Sequence, residues 1–179
     1  RTLTKEEAEN EEKKGNYVTK TENGYRRIVA APLPEKIIEI DAIKALSDAG
    51  QIVIAAGGGG IPVLEQDEEL TGASAVIEKD LISGKLACLL DADELLILTS
   101  VENASVNYHS ETEKQLGRVS VSELKAYMEE GHFEDNTMLP KIQASIEFVE
   151  EKPGRTAVIT SIGKAKEGYL EKTGTVITA

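Results

Sequence analysis

The chain has 179 residues, 40% of them hydrophobic and 29% charged, which is the composition of one globular domain with a core rather than of a disordered chain. With 32 acidic against 20 basic residues the net charge is −12, which opposes binding to nucleic acid or to an anionic membrane surface but leaves room for a small anion held by a few local lysines. The single cysteine, Cys88, excludes an intrachain disulfide and fits a reducing compartment; no apolar run reaches membrane-spanning length and no signal peptide is visible, so the expected setting is the cytoplasm.

In chain order, residues 4–14 read as a polar helix, because Thr4 and Glu7 have capping-box spacing and Gly15 stops the run. Two strand-like runs follow at 17–20 and 25–29, with Asn23-Gly24 as the turn signal between them. Residues 30–34 (Ala-Ala-Pro-Leu-Pro) read as a linker, so 1–31 is expected to be a small helix-and-hairpin protrusion and 32–179 the main domain. The main domain alternates helix and strand. Helices are expected at 39–49, 77–90, from the Ser120/Glu123 capping box to Gly131, and 139–149, followed by one short helix. Buried strands are expected at 51–56, 94–99, 156–160 and 175–178. Apolar strands alternating with amphipathic helices predict an α/β fold, a mostly parallel sheet with helices on both faces.

In such sheets ligands bind at the carboxyl ends of the strands, where three features fall. Gly57-Gly58-Gly59-Gly60 would let backbone N–H groups approach a ligand, although it has neither P-loop nor dinucleotide spacing and reads equally well as a tight turn. Lys79-Asp80 lies near a helix start, where an anion is favoured; a solvated charge pair is the plain alternative. Lys141 follows Met138-Leu139-Pro140, and Pro belongs in a first helical turn, so this lysine also lies near a helix start, unless it is an ordinary surface residue. Two such lysines on one sheet edge could clamp a polyphosphate. His109 and His132 have no second ligand at metal-binding spacing, so no protein-held metal is expected, and no nucleophile-elbow pattern is present.

The ordered motifs go further. Val53-Ile-Ala-Ala-Gly-Gly-Gly-Gly-Ile-Pro62, Ala75-Val-Ile-Glu-Lys-Asp80, Asp91-Ala-Asp93 with Leu96-Ile-Leu-Thr99, Val119-Ser-Val-Ser-Glu-Leu-Lys125, Glu129-Glu-Gly-His-Phe133, Met138-Leu-Pro-Lys141 and Gly174-Thr-Val-Ile177 resemble the C-terminal, nucleotide-binding half of carbamate kinase, in order and at similar spacing. Leu3-Thr-Lys-Glu-Glu-Ala8, Gly24-Tyr-Arg-Arg27 and Pro32-Leu-Pro34 resemble that family's protruding subdomain. The resemblance implies the amino-acid-kinase fold, conversion of carbamoyl phosphate and ADP to ATP and carbamate, Mg2+, and a homodimer. It implies that Lys79 and Lys141 contact the phosphates and that Asp80 holds those lysines. Thr99, Ser100, Val101 and the loop after them would line the adenine and ribose pocket, Met138 would belong to the same nucleotide site, and Gly57–Gly60 (Gly57, Gly58, Gly59, Gly60) would border the phosphates. The family's N-terminal half, with its carbamate-binding loop, has no counterpart here, so this chain is expected to be inactive alone. Ser105 stands where the family has a Tyr, and Asp135-Asn-Thr137 where it has Pro-Gly-Ser. Two other readings remain: a catalytically silent nucleotide-binding or assembly module, and another amino-acid-kinase member acting on acetylglutamate or a nucleoside monophosphate.

Overall fold

The computed structural model describes residues 1–67 and 69–179, and the chain divides into two compact units. The first comprises Arg1–Leu33 and Ile61–Ile77; the second comprises Pro34–Gly60 and Glu78–Ala179.

In the first unit, helix α1 (Lys5–Lys13) starts as expected: Thr4 Oγ1 accepts the Glu7 N–H at 3.2 Å and Glu7 Oε2 accepts the Thr4 N–H at 2.8 Å. Strands β1 (Tyr17–Thr21) and β2 (Gly24–Ile28) pair antiparallel with Thr21 opposite Gly24. The two-residue turn is therefore Glu22-Asn23, one position earlier than the Asn-Gly signal suggests. Gly24 serves another purpose: its φ is +133°, and a Cβ there would lie 2.8 Å from the Leu3 carbonyl oxygen, because Leu3 pairs with neighbouring Tyr25. A second antiparallel hairpin, β3 (Val63–Gln66) with β4 (Glu69–Gly72), joins this unit although it is distant in sequence. Ala30 bridges Ala75, and the Val76 N–H donates to the Ala30 carbonyl at 2.9 Å.

The second unit begins with helix α2 (Ile40–Asp48) and continues, after the turn at Gly57–Gly60, with helix α3 (Lys79–Leu89). Strand β5 (Glu94–Thr99) follows, then a short antiparallel pair, β6 (Ser105–Val106) and β7 (Lys114–Gln115), and strand β8 (Arg118–Ser120). Helices α4 (Val121–Glu129) and α5 (Leu139–Glu151) come next; α4 opens on the capping box of Ser120 and Glu123. Strand β9 (Thr156–Ser161), a short 3-10 turn, helix α6 (Ala165–Tyr169) and strand β10 (Thr175–Thr178) complete the chain. Four strands form one sheet in the order β5-β9-β10-β8; β5–β9 and β10–β8 are parallel and β9–β10 antiparallel. The sheet is thus mixed and mostly parallel, and α/β as expected.

Helices cover both faces, as side-chain parity shows. Leu95, Ile97, Ala157 and Ile159 point into a core shared with Ile142, Ile146, Phe148 and Val149 of α5. The alternate residues Leu96 and Thr160 point the other way, toward α6: a Cβ on Gly168 would meet Thr160 Cγ2 at 2.6 Å and Leu96 Cδ1 at 3.5 Å. Strand β9 is buried from Ala157 to Thr160, which is why it reads as a continuous apolar run.

One expected strand is not formed. Residues 51–55 pair with no described strand, and Ile52 and Ile54 are 99% and 95% exposed. An apolar run marks a segment suited to burial, but a strand also needs a neighbour for its backbone N–H and C=O groups, and none of the described strands lies beside it. Conversely, the β3–β4 and β6–β7 hairpins and edge strand β8 carry little apolar periodicity and were not anticipated.

Candidate functional site

Lys79 is the first residue of α3, Asp80 the second, and Lys141 the third residue of α5, after Pro140 in the first turn. The two helices bring them together although 61 residues separate Asp80 from Lys141. Gly84 on α3 makes the close approach possible: a Cβ there would lie 3.0 Å from both the Cβ and the carbonyl oxygen of Ala144 on α5.

Asp80 Oδ2 accepts from both lysines, from Lys141 Nζ at 2.7 Å and from Lys79 Nζ at 2.9 Å. Lys141 also donates to the Thr137 carbonyl at 3.1 Å. Asp80 and Lys141 are both buried, whereas the side chain of Lys79 is 54% exposed. Glu78 caps α3, its carboxylate accepting the Asp80 and Leu81 N–H groups, and its other oxygen lies 3.2 Å from Lys79 Nζ. The hydrogen bond to Asp80, with the second one to Glu78, raises the Lys79 pKa above the ordinary lysine value against the lowering effect of burial, so Lys79 is a firm cation. One carboxylate oxygen thus binds two ammonium groups, one buried and one facing water.

Lys141 also lines a cavity of about 640 Å3 in the second unit. Thr99, Ser100 and Val101, at and just beyond the carboxyl end of β5, form part of its wall, and Met138 another part. Lys79 and Asp80 are tied to this wall through Lys141 rather than lining it. Gly57–Gly60 does not line it; this segment is a turn in which Ala56, Gly57, Gly59 and Gly60 have positive φ, the +136° of Gly59 being glycine territory.

The rest of the lining is less legible. It includes Ser105, Tyr108 and His109 of the β6–β7 hairpin, and His132, Phe133 and Thr137 between α4 and α5. The hairpin is anchored by Thr175 of β10, which accepts the Ala104 N–H at 2.9 Å and donates to the Leu116 carbonyl at 2.6 Å. Glu-Gly-His-Phe133 is a usable signal within the motif series, and for the hairpin the signal is the resemblance, which points to the loop after Val101 and to Ser105, since its residue spacing carries none. Among the described residues, no group of three or more His, Cys, Asp or Glu side chains is placed to hold a metal ion. No helix is long and apolar enough to cross a membrane.

The family model named "Amino acid kinase family" matches residues 6–161. The chain is 51% identical over 177 residues to the carbamate kinase-like protein YqeA of Escherichia coli strain K12, covering 98% of this chain and 57% of that protein. It is 47% identical over 176 residues to the carbamate kinase of Clostridium perfringens strain 13, covering 97% of this chain and 56% of the relative. Among solved structures, the carbamate kinase of Giardia lamblia bound to AMP-PNP superposes with a TM-score of 0.89 at 37% identity, over 99% of this chain and 57% of that one. The chain therefore spans a little over half the length of these relatives. With the family match running through nearly all of α1 to β9, and a solved relative superposing over 99% of the chain, the chain belongs to the amino acid kinase family.

Proposed function

We propose that this chain carries the nucleotide-holding part of a carbamate-kinase-type phosphotransferase, which moves the phosphoryl group of carbamoyl phosphate onto ADP to give ATP and carbamate. The observation that carries this reading is the pair of ammonium groups on Asp80 Oδ2, one of which, Lys141, lines a cavity of about 640 Å3. A cavity of this size suits a nucleoside diphosphate. The carbamate kinases among its relatives, one of them bound to AMP-PNP, support the reaction class.

The chemistry asked of these residues is mainly electrostatic. A phosphoryl group in transfer spreads negative charge over its equatorial oxygens, and preplaced cations lower the barrier because they need no reorganisation as that charge develops. Lys141 is preplaced by its two hydrogen bonds and by burial; Lys79, more exposed, can follow the anion. Asp80 keeps the two cations together when no anion is present. The described carboxylates do not suit Mg2+ by themselves, since Asp80 Oδ2 is taken by two ammoniums and Glu78 caps α3. Mg2+ would come with the phosphates of the nucleotide, and no step is assigned to it.

The reading is tested with the purified chain by calorimetric titration with ADP in the presence of Mg2+, alongside a hexokinase-coupled assay for ATP formation from carbamoyl phosphate. ADP binding that weakens in Lys141→Ala is the expected result. Binding without ATP formation identifies the chain as a nucleotide-holding part that works with a separate site for carbamoyl phosphate; that second reading draws on its coverage of 56–57% of its relatives' length. No ADP binding at all would refute both.

A further inference from the structure

We infer that Glu134 and Thr137 are positioning residues: the hydrogen bond between their side chains closes the turn ahead of α5 and thereby aims the Lys141 ammonium at a bound phosphate group. The inference deepens the nucleotide reading above and rests on it.

Lys141 Nζ has three N–H bonds, and two of them find acceptors among the described residues, Asp80 Oδ2 at 2.7 Å and the Thr137 carbonyl at 3.1 Å. An ammonium is tetrahedral, so fixing two of its N–H bonds fixes the direction of the third. That third bond is the one left for an anion in the cavity that Lys141 lines. The contact with Asp80 alone would leave the ammonium free to turn about it. The Thr137 carbonyl removes this freedom, so the placement of that carbonyl governs where the third N–H points.

The Thr137 carbonyl belongs to a turn, residues 135–138, that precedes α5. No proline lies between Phe133 and Leu139, so no ring restrains the backbone there. The restraints are hydrogen bonds that converge on Glu134. Its carbonyl accepts the Thr137 N–H at 3.2 Å and the Leu139 N–H at 3.0 Å, and its side-chain Oε2 accepts the Thr137 hydroxyl at 2.7 Å. Phe133, only 5% exposed, ties the start of the segment to the core. Thr137 is therefore held through both its N–H and its hydroxyl, and its carbonyl is left to Lys141. Glu134 lines the same cavity as Lys141 and Thr137, where a negative charge opposes a polyanion. Positioning and repulsion act on binding with opposite signs, and substitutions separate them.

The test is calorimetric titration of the purified chain with ADP in the presence of Mg2+. Thr137→Val keeps the side-chain shape and loses the hydroxyl, and Thr137 is exposed, so the core is untouched. ADP affinity in this variant is expected to fall about 5- to 10-fold, the worth of one hydrogen bond. Thr137→Ser keeps the hydroxyl and should bind within about 2-fold of wild type. Glu134→Gln keeps an acceptor without the charge, so affinity should hold or rise. The deciding measurement places Thr137→Val on Glu134→Ala: with no side-chain acceptor left, loss of the hydroxyl should change affinity by less than about 2-fold. A hydroxyl that touched ADP directly would keep its full effect there, and that result overturns the inference. Equal ADP affinity in wild type and Thr137→Val overturns it too, as does a Thr137→Ser or Glu134→Gln variant as weak as Thr137→Val. Each of these results leaves the nucleotide reading standing, because ADP still binds. A wild-type chain that binds no ADP removes the nucleotide reading and this inference together.

Discussion

Replacing Asp80 by Asn removes the one negative charge that holds two lysines together, and the structure sets the size of the effect. Both ammoniums contact the same carboxylate oxygen, at 2.9 Å and 2.7 Å, so they lie no more than about 5.6 Å apart. At an effective dielectric of about 20, like charges at that distance repel by about 3 kcal/mol. Lys79, 54% exposed, can swing into water and escape part of this, but Lys141 is buried and keeps only the Thr137 carbonyl as a partner. That repulsion is present in both proteins and only loses its counter-ion in the variant; breaking a buried pair from one side costs about 3–5 kcal/mol, and because Lys79 can move into water the lower end, about 3 kcal/mol, is expected. For a chain of this size that is a fall in Tm of about 6–12 °C. The same variant leaves Lys141 without a counter-ion and Lys79 with Glu78 alone, so pyrophosphate should raise its Tm more than it raises that of wild type, and this difference should shrink in 1 M salt as screening sets in. The assay is thermal unfolding followed by circular dichroism, with and without pyrophosphate. A fall in Tm of less than 2 °C, or an equal pyrophosphate effect in both proteins, would refute the view that Asp80 is the counter-ion holding a cation pair for anion binding.

Gly84→Val should push α3 away from α5, because its side chain starts 3.0 Å from Ala144; a cost of about 1–3 kcal/mol in denaturant unfolding is expected, with weaker pyrophosphate binding by calorimetry and partial rescue by Ala144→Gly. Asp91, held below the ordinary carboxylate pKa first by its hydrogen bonds to Lys152 and then by Arg155, should lend stability that is fully present above that ordinary value and lost as pH falls through its lowered native pKa. The Tm advantage of wild type over Asp91→Asn should therefore hold at neutral pH and vanish in strong acid, whereas an advantage that persists at the acid end would contradict the ion-pair explanation. Ile52→Lys and Ile54→Lys should each change stability by less than about 0.5 kcal/mol in the isolated chain, given exposures of 99% and 95%; a loss above 2 kcal/mol would mean that residues 51–55 are buried in solution.

The elements read correctly from sequence are those in which a local signal and the tertiary structure agree. The capping boxes at Thr4 and Ser120 fix helix starts through side-chain hydrogen bonds that span three residues, so no distant contact is needed to predict them. Strands β5, β9 and β10 are apolar because helices cover the sheet, and their own composition reports that cover. The segment 51–56 fails for an instructive reason. Its Ile-Val-Ile run carries the same signal as β5, yet composition reports only fitness for burial, and none of the described strands lies beside it to complete the backbone hydrogen bonds. Gly24 fails in a smaller way: its left-handed backbone was read as turn chemistry, while the structure uses it to admit the Leu3 backbone.

The candidate site shows where local reasoning stops. Lys79-Asp80 and Lys141 each look like ordinary surface charges, and no periodicity links them across 61 residues. What joins them is the crossing of two helices, and the crossing depends on small side chains at a fixed offset, Gly84 four residues after Asp80 and Ala144 three residues after Lys141. Those offsets are one helical turn, so each small residue lies on the face of its helix that also carries the charge, and close packing at one point fixes the separation of Asp80 and Lys141 one turn away. The net charge of −12 likewise conceals the site rather than describing it. Lys141 is buried despite its charge because Asp80 and the Thr137 carbonyl satisfy it, and a cation so held is fixed in place before any ligand arrives. An anion entering the cavity meets a preorganised charge instead of a mobile surface lysine. That is the condition the proposed role in phosphoryl transfer asks of Lys141, and it arises here from helix packing and not from the abundance of basic residues.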